Sequence, residues 1–128
     1  MTDHAATLAH FTGTESYHRI QPLARNVLGT DGVAYVAEEM NAHWLISDIM
    51  IVVAMKFRHI PFQVWTFKKN DDGTATLTMQ EDKGLKPKYR QKYEWTDFPL
   101  DEIKFYAVHG GLSPEGPLMN ILMLPREY

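Results

Sequence analysis

The sequence predicts an α+β domain, with N-terminal helices packed on a mostly antiparallel sheet of about five strands. Three observations carry this. Apolar residues between Val33 and Phe57 recur at helical spacing. After Pro61 the period falls to two, and two β-rich runs flank Asn70, Asp71, Asp72 and Gly73, a strong hairpin signal. The segments joining the later strands are too short to hold crossover helices, so neighbouring antiparallel pairs are the simplest arrangement.

Residues 3–10 suit a short helix that Thr2 or Asp3 can cap, with Leu8 and Phe11 as apolar anchors. Residues 12–16 break that pattern. Pro22 then interrupts the weak helical spacing of 17–28, which predicts an irregular arm or short helices over the core. Thr30 or Asp31 can cap the next helix, whose apolar positions are Val33, Val36, Ala37 and Met40 and which Asn41 ends. A second helix, from about 42 to 57, presents Leu45, Ile49, Val52, Val53 and Met55 to the core. Ser47 and Asp48 are nearly its only interior polar residues, so it belongs inside a domain or under a partner. Strands follow at 62–69, 74–81, 88–96, 103–109 and 118–124. Trp65 and Phe67 share one face of the first, Ala75, Leu77 and Met79 one face of the second, with Thr74, Thr76 and Thr78 opposite. In the third, Lys88, Arg90, Lys92 and Glu94 alternate with Tyr89, Gln91, Tyr93 and Trp95. Trp44, Trp65 and Trp95 are all expected in the core.

A chain of 128 residues is one domain on ordinary size grounds, and 45% apolar content supplies a core without metal or disulfide staples. The absence of cysteine removes disulfides, thiol nucleophiles and thiolate zinc sites. With no signal-peptide pattern at the start and no apolar run long enough to span a bilayer, a cytoplasmic location without membrane contact is expected. Thirteen basic against sixteen acidic residues give a net charge of −3, whereas nucleic-acid modules usually carry a basic excess.

Candidate chemistry is sparse. His4, His10 and His18 lack metal-ligand spacing, and His43, His59 and His109 can meet only through folding, so no metal or cofactor is expected. The acid pairs Glu38–Glu39, Asp71–Asp72, Glu81–Asp82 and Asp101–Glu102 read as solvated, since two-carboxylate hydrolysis needs the acids to flank a cleft. Asp48 interrupts an apolar helix and is expected to pair with Arg19 or Arg25, or to mark a wet edge. Ser16, Ser47 and Ser113 sit in no nucleophile elbow, and the glycine-rich segment 110–117 lacks the lysine and helix of a phosphate loop. No catalytic residue is expected. The strongest electrostatic feature is Lys86, Lys88, Arg90 and Lys92, which period two turns into a stripe. Such a stripe can contact phosphates, guard a sheet edge or form a wet face. Tyr89 and Tyr93 point away from it, so the strand is not an aromatic platform for bases.

Phe11–Arg19, Thr30–Ile49, Phe62–Trp65, Thr96–Leu100 and Leu122–Tyr128 together resemble a family of small uncharacterised proteins, a domain of unknown function from bacteria, phages and other mobile elements. The resemblance runs from Phe11 to Tyr128 and implies no catalytic residue. It does imply a class of role, because small cytoplasmic proteins of mobile elements often bind host machinery, inhibitors of defence systems such as CRISPR among them. The expected function is therefore a non-catalytic protein-binding module with a host protein or complex as partner. Lys86, Lys88, Arg90 and Lys92 with the 110–117 loop are its expected surface, and Tyr17, Tyr89 and Arg90 its anchors. The alternatives are a nucleic-acid-binding accessory protein using the stripe and, ranked below it, a small hydrolase with a pocket of shifted pKa. The oligomeric state is left open.

Overall fold

The computed structural model describes residues 3–82, 84–110 and 118–128. Among these residues three α-helices, α1 (His4–Leu8), α2 (Asp31–Glu39) and α3 (His43–Val52), accompany six strands. The strands are β1 (Val27–Gly29), β2 (Phe62–Lys69), β3 (Ala75–Gln80), β4 (Tyr89–Tyr93), β5 (Glu102–Gly110) and β6 (Met119–Met123). They form one sheet in the order β1–β6–β5–β2–β3–β4.

The sixth strand corrects the expectation of five. β1 lies in the segment expected to be irregular, and its three residues are all buried, so no alternation could reveal it. It pairs parallel to β6, Val27 with Asn120 and Gly29 with Leu122, and is defined by its partner rather than by its own pattern. Gly29 leaves no room for a side chain, since a Cβ there would meet Ile20 Cδ1 at 2.9 Å and Val33 Cγ1 at 3.0 Å. All other neighbouring pairs are antiparallel.

Simple neighbour pairing fails at one joint. β5 returns to β2, with Phe105 opposite Trp65 and Ile103 opposite Phe67, instead of extending from β4. Packing explains the choice. Ile103, Phe105 and Ala107 complete the core beside Trp65 and Phe67, whereas β4 alternates half-buried and exposed residues and suits an edge.

One sheet face and the helices share a single buried cluster, to which α2 brings Val33, Val36 and Ala37, and α3 brings Leu45, Ile46, Ile49 and Met50. The predicted long second helix changes pitch. α3 stops at Val52 and a π-helical turn, Val53–Phe57, follows. The wider turn rotates Met55 outward to 78% exposure, against its expected core position. Carbonyls freed at this helix end are met by strand side chains. Gln63 Nε2 donates to Phe57 O at 2.9 Å, and Asn120 Nδ2 donates to Arg58 O at 3.2 Å.

At the other end of the helical pair, Thr30 caps α2, its Oγ1 accepting from Val33 N. The chain terminus completes this cap. Glu127 accepts from Thr30 Oγ1 at 2.6 Å, Gly32 N at 3.1 Å and Leu124 N at 2.9 Å, so a carboxylate sits at the positive end of α2. Gly32 makes room for this contact, because a Cβ would lie 2.6 Å from Glu127 Oε1 and would displace that carboxylate.

The second sheet face has its own small cluster at the β1–β6–β5 end, Leu28, Met119, Ile121 and Met123 with Tyr106 and Val108, and no helix residue belongs to it. Towards β4 this face becomes polar.

Candidate functional site

Register dictates what the polar half displays. Lys104 pairs with Thr66, Thr66 with Thr78, and Thr78 with Arg90, which makes one row across four strands. The next row is Glu102, Lys68, Thr76 and Lys92. Three inter-strand spacings make each row about 14 Å wide. Lys68, Arg90, Lys92 and Lys104 are exposed, and the threonines between them are half-buried. Lys88 meets Glu81 at 3.3 Å and Lys104 meets Glu102 at 4.0 Å, both at the surface, where such pairs are weak. Among the described residues no ion pair engages Lys68, Arg90 or Lys92.

Aromatic rings border these rows. Tyr106 lies two residues beyond Lys104 on the same face and contacts Phe62 at 5.0 Å between centroids. Tyr128 packs on both, at 5.6 Å from each, and is 75% exposed.

The structure therefore brings Lys88, Arg90 and Lys92 together, with exposed Lys86 just ahead of the strand, and adds Lys68 and Lys104 from β2 and β5. Sequence reasoning missed those two because neither strand carries an alternating basic run: Lys68 stands beside Lys69 at the end of β2, and Lys104 is the one lysine of β5. Their signal was parity, since both are out of phase with the core residues Trp65 and Phe105. The other expected anchors lie elsewhere. Tyr17, 49% exposed, lines a cleft of about 440 Å³ with His18, Arg19, Glu38 and His43, to which no β4 residue contributes. Tyr89 is on the opposite face of β4 from Arg90. Its ring packs against Trp65 and Phe57, its hydroxyl donates to Gln91 Oε1 at 2.8 Å, and burial pushes its pKa up. From Gly111 onward, the expected 110–117 loop lies outside the described residues.

Two further expectations are corrected. Asp48 pairs with neither arginine. It accepts from the Tyr93 hydroxyl at 2.7 Å across the α3–β4 contact, while Arg19 turns to the Arg25 carbonyl. Burial first, and then this bond to a carboxylate, hold the Tyr93 hydroxyl far above its ordinary pKa. Trp95 is 72% exposed rather than in the core, because β4 ends at Tyr93 and the alternation does not carry past it. Trp65 is fully buried, and Trp44 is half-buried, packed edge-on to Phe67 and Tyr93.

The shifted carboxylates do not resemble general acids. Asp31 is lowered chiefly by its 2.8 Å contact with His18 Nε2, and Asp72 by the Thr74 hydroxyl. A general acid needs the opposite shift. Among the described residues no three histidine or acid side chains gather as metal ligands.

No curated protein and no solved structure matches the chain. A family model does match, over residues 2–128, which takes in all the segments that carried the resemblance. Its description is a family of unknown function, DUF6876, and the chain belongs to that family.

Proposed function

We propose that the chain is a non-catalytic binding module that docks an acidic protein surface on the open sheet face. The observation that supports this most is the pair of cross-strand rows holding Lys68, Arg90, Lys92 and Lys104 on one face of a chain whose net charge is −3. Four cations against one acid, Glu102, leave these rows with a basic excess, and an excess of this kind steers and orients an oppositely charged partner. Phe62, Tyr106 and Tyr128, at the edge of the rows, supply the apolar area on which binding energy concentrates. The proposed partner is a host protein or complex in the cytoplasm. A mobile-element setting, with inhibition of a defence system such as CRISPR as the outcome, is supported by the family resemblance of the sequence alone.

A second reading has its own observation. Tyr106 and Tyr128 share the basic face, and aromatic rings beside cations are how single-stranded nucleic acid is held.

The test is capture from a lysate of the source cells by wild type and by Arg90→Glu/Lys92→Glu, at salt concentrations a factor of about ten apart. Proteins and nucleic acids are both identified. The proposal expects a stoichiometric protein that wild type retains at high salt and the variant loses. Nucleic acid alone, lost at high salt, selects the second reading. Capture indifferent to the two substitutions overturns both. If the captured protein is a defence component, its inhibition by the purified chain is the next assay.

A further inference from the structure

On the helix side of the sheet, where β4 ends, a hollow of about 330 Å³ is lined by Asn41, Trp44, Tyr93, Trp95, Thr96 and Asp97. We infer that this hollow is a binding site for an organic cation, an alkylated ammonium head group held against the aromatic rings that line it. The site is independent of the basic face, since Tyr93 and Arg90 project from opposite sides of β4.

The walls are built for it. The Trp44 and Tyr93 rings meet edge to face, 5.4 Å between centroids at 65°, so together they form one angled wall of the hollow with no gap between them. Each is fixed from behind. Trp44 rests edge-on against buried Phe67 at 5.7 Å, and the Tyr93 hydroxyl is tied to Asp48 at 2.7 Å. Trp95, 72% exposed, supplies a third ring with its surface in water. Faces of aromatic rings carry negative potential, and a cation enclosed by several of them is attracted to each. The void lies near the small end of ligand cavities, a size for a head group rather than a drug-sized molecule.

The electrostatics agree. Asp97 also lines an adjoining hollow of about 200 Å³, to which Glu39 and His4 contribute, so the two form one acidic corner. Among the described residues no lysine or arginine lines either hollow. Among the described residues no ion pair neutralises Glu39 or Asp97. The last turn of α2, at this corner, carries Glu38 and Glu39 and no basic residue. Acids at a helix C-terminus oppose the helix dipole, so they cost the fold a little and favour a bound cation. The N-terminus of α3 begins here without a side-chain cap, but its partial charge is about half a unit against the two full charges of Glu39 and Asp97. The hydrophobic character of the rings selects alkylated ammonium over a small hydrated ion.

Such a head group occurs on free small molecules and on methylated lysine side chains, and the experiment separates the two. The full chain is titrated with choline, with its neutral carbon isostere dimethylbutanol, and with a short, otherwise uncharged peptide bearing one trimethyllysine. Binding is followed by tryptophan fluorescence and by calorimetry, for wild type, Trp95→Ala and Asp97→Asn. Both replaced residues are exposed, so both variants are expected to melt with wild type. The inference expects saturable choline binding, at least fivefold weaker binding of the isostere, loss of binding in Trp95→Ala and severalfold weakening in Asp97→Asn. Peptide binding tighter than choline assigns the head group to a modified protein, and choline binding without the peptide assigns it to a free small molecule. Absence of saturation with both cations overturns the inference, as does an isostere that binds as tightly as choline or a Trp95→Ala variant that binds as tightly as wild type.

Discussion

On β2, Trp65 is fully buried in the cluster that α3 and β5 complete, while Thr66, the next residue, stands half-exposed between Thr78 and Lys104. That step repeats along the sheet. Phe67 faces the helices and Lys68 does not; Leu77 does and Thr78 does not. Alternation that builds a core on one side necessarily delivers a second surface made of the intervening residues. On the covered side those positions are selected by volume and shape, because the interior is close-packed. On the open side Lys68, Arg90 and Lys92 are exposed and, among the described residues, in no ion pair, and what the positions share is charge. The difference teaches where to look for function in this fold. The covered face answers to stability, and the open face, at its β4 end, is where we propose that a partner docks.

Substitutions can break that contrast, and the largest effect belongs to the covered face. Trp65→Ala removes the largest fully buried side chain, and its indole N–H bond to Gln63 Oε1 at 3.0 Å is lost as well. A loss of about 3–5 kcal/mol is expected in chemical denaturation. A smaller loss falls at the rim of the same core. Glu127→Ala leaves Thr30 Oγ1, Gly32 N and Leu124 N without their acceptor and is expected to cost about 1–3 kcal/mol, read as an earlier thermal transition. Glu127→Gln keeps the shape but not the charge and should fall between that variant and wild type.

The third effect is confined to alkaline pH. Tyr93 titrates at 10.0 when exposed, and the fold holds it higher through burial and Asp48. Its contribution to stability is complete below pH 10 and is lost as the pH rises from there towards the folded value, because the unfolded chain ionises first. Tyr93→Phe is expected to flatten that alkaline slope in urea midpoints measured across pH. The smallest effect belongs to the open face. Thr76→Ser and Lys92→Ser are each expected to stay within about 0.5 kcal/mol of wild type in the same assay. A large loss from either would mean that this face is also structural.

Much of this contrast was legible in the sequence, because period-two alternation is a local property. Trp65, Phe67, Ala75, Leu77 and Met79 were assignable to one face and Thr74, Thr76 and Thr78 to the other before any pairing was known. The turn at Asn70–Gly73 likewise fixed the β2–β3 hairpin. Non-local features were not legible. β1 exists because β6 is there to pair with it, and β5 chooses β2 over β4 for core packing. Met55 and Trp95 were misplaced because a period was carried past the point where its helix or strand ends. Most of the basic face could be read from Lys86, Lys88, Arg90 and Lys92 in one stretch of sequence. Lys68 and Lys104 joined it only when register set β2 and β5 alongside. The link between Glu127 and the start of α2 had no sequence signal, since it spans nearly the whole chain.

The most direct measurement uses the triple variant Lys68→Glu/Arg90→Glu/Lys92→Glu, with melting temperature and partner capture recorded on one preparation beside wild type. The two-face account predicts a melting temperature close to wild type and complete loss of the captured partner. Undiminished capture by a variant that melts with wild type would contradict it.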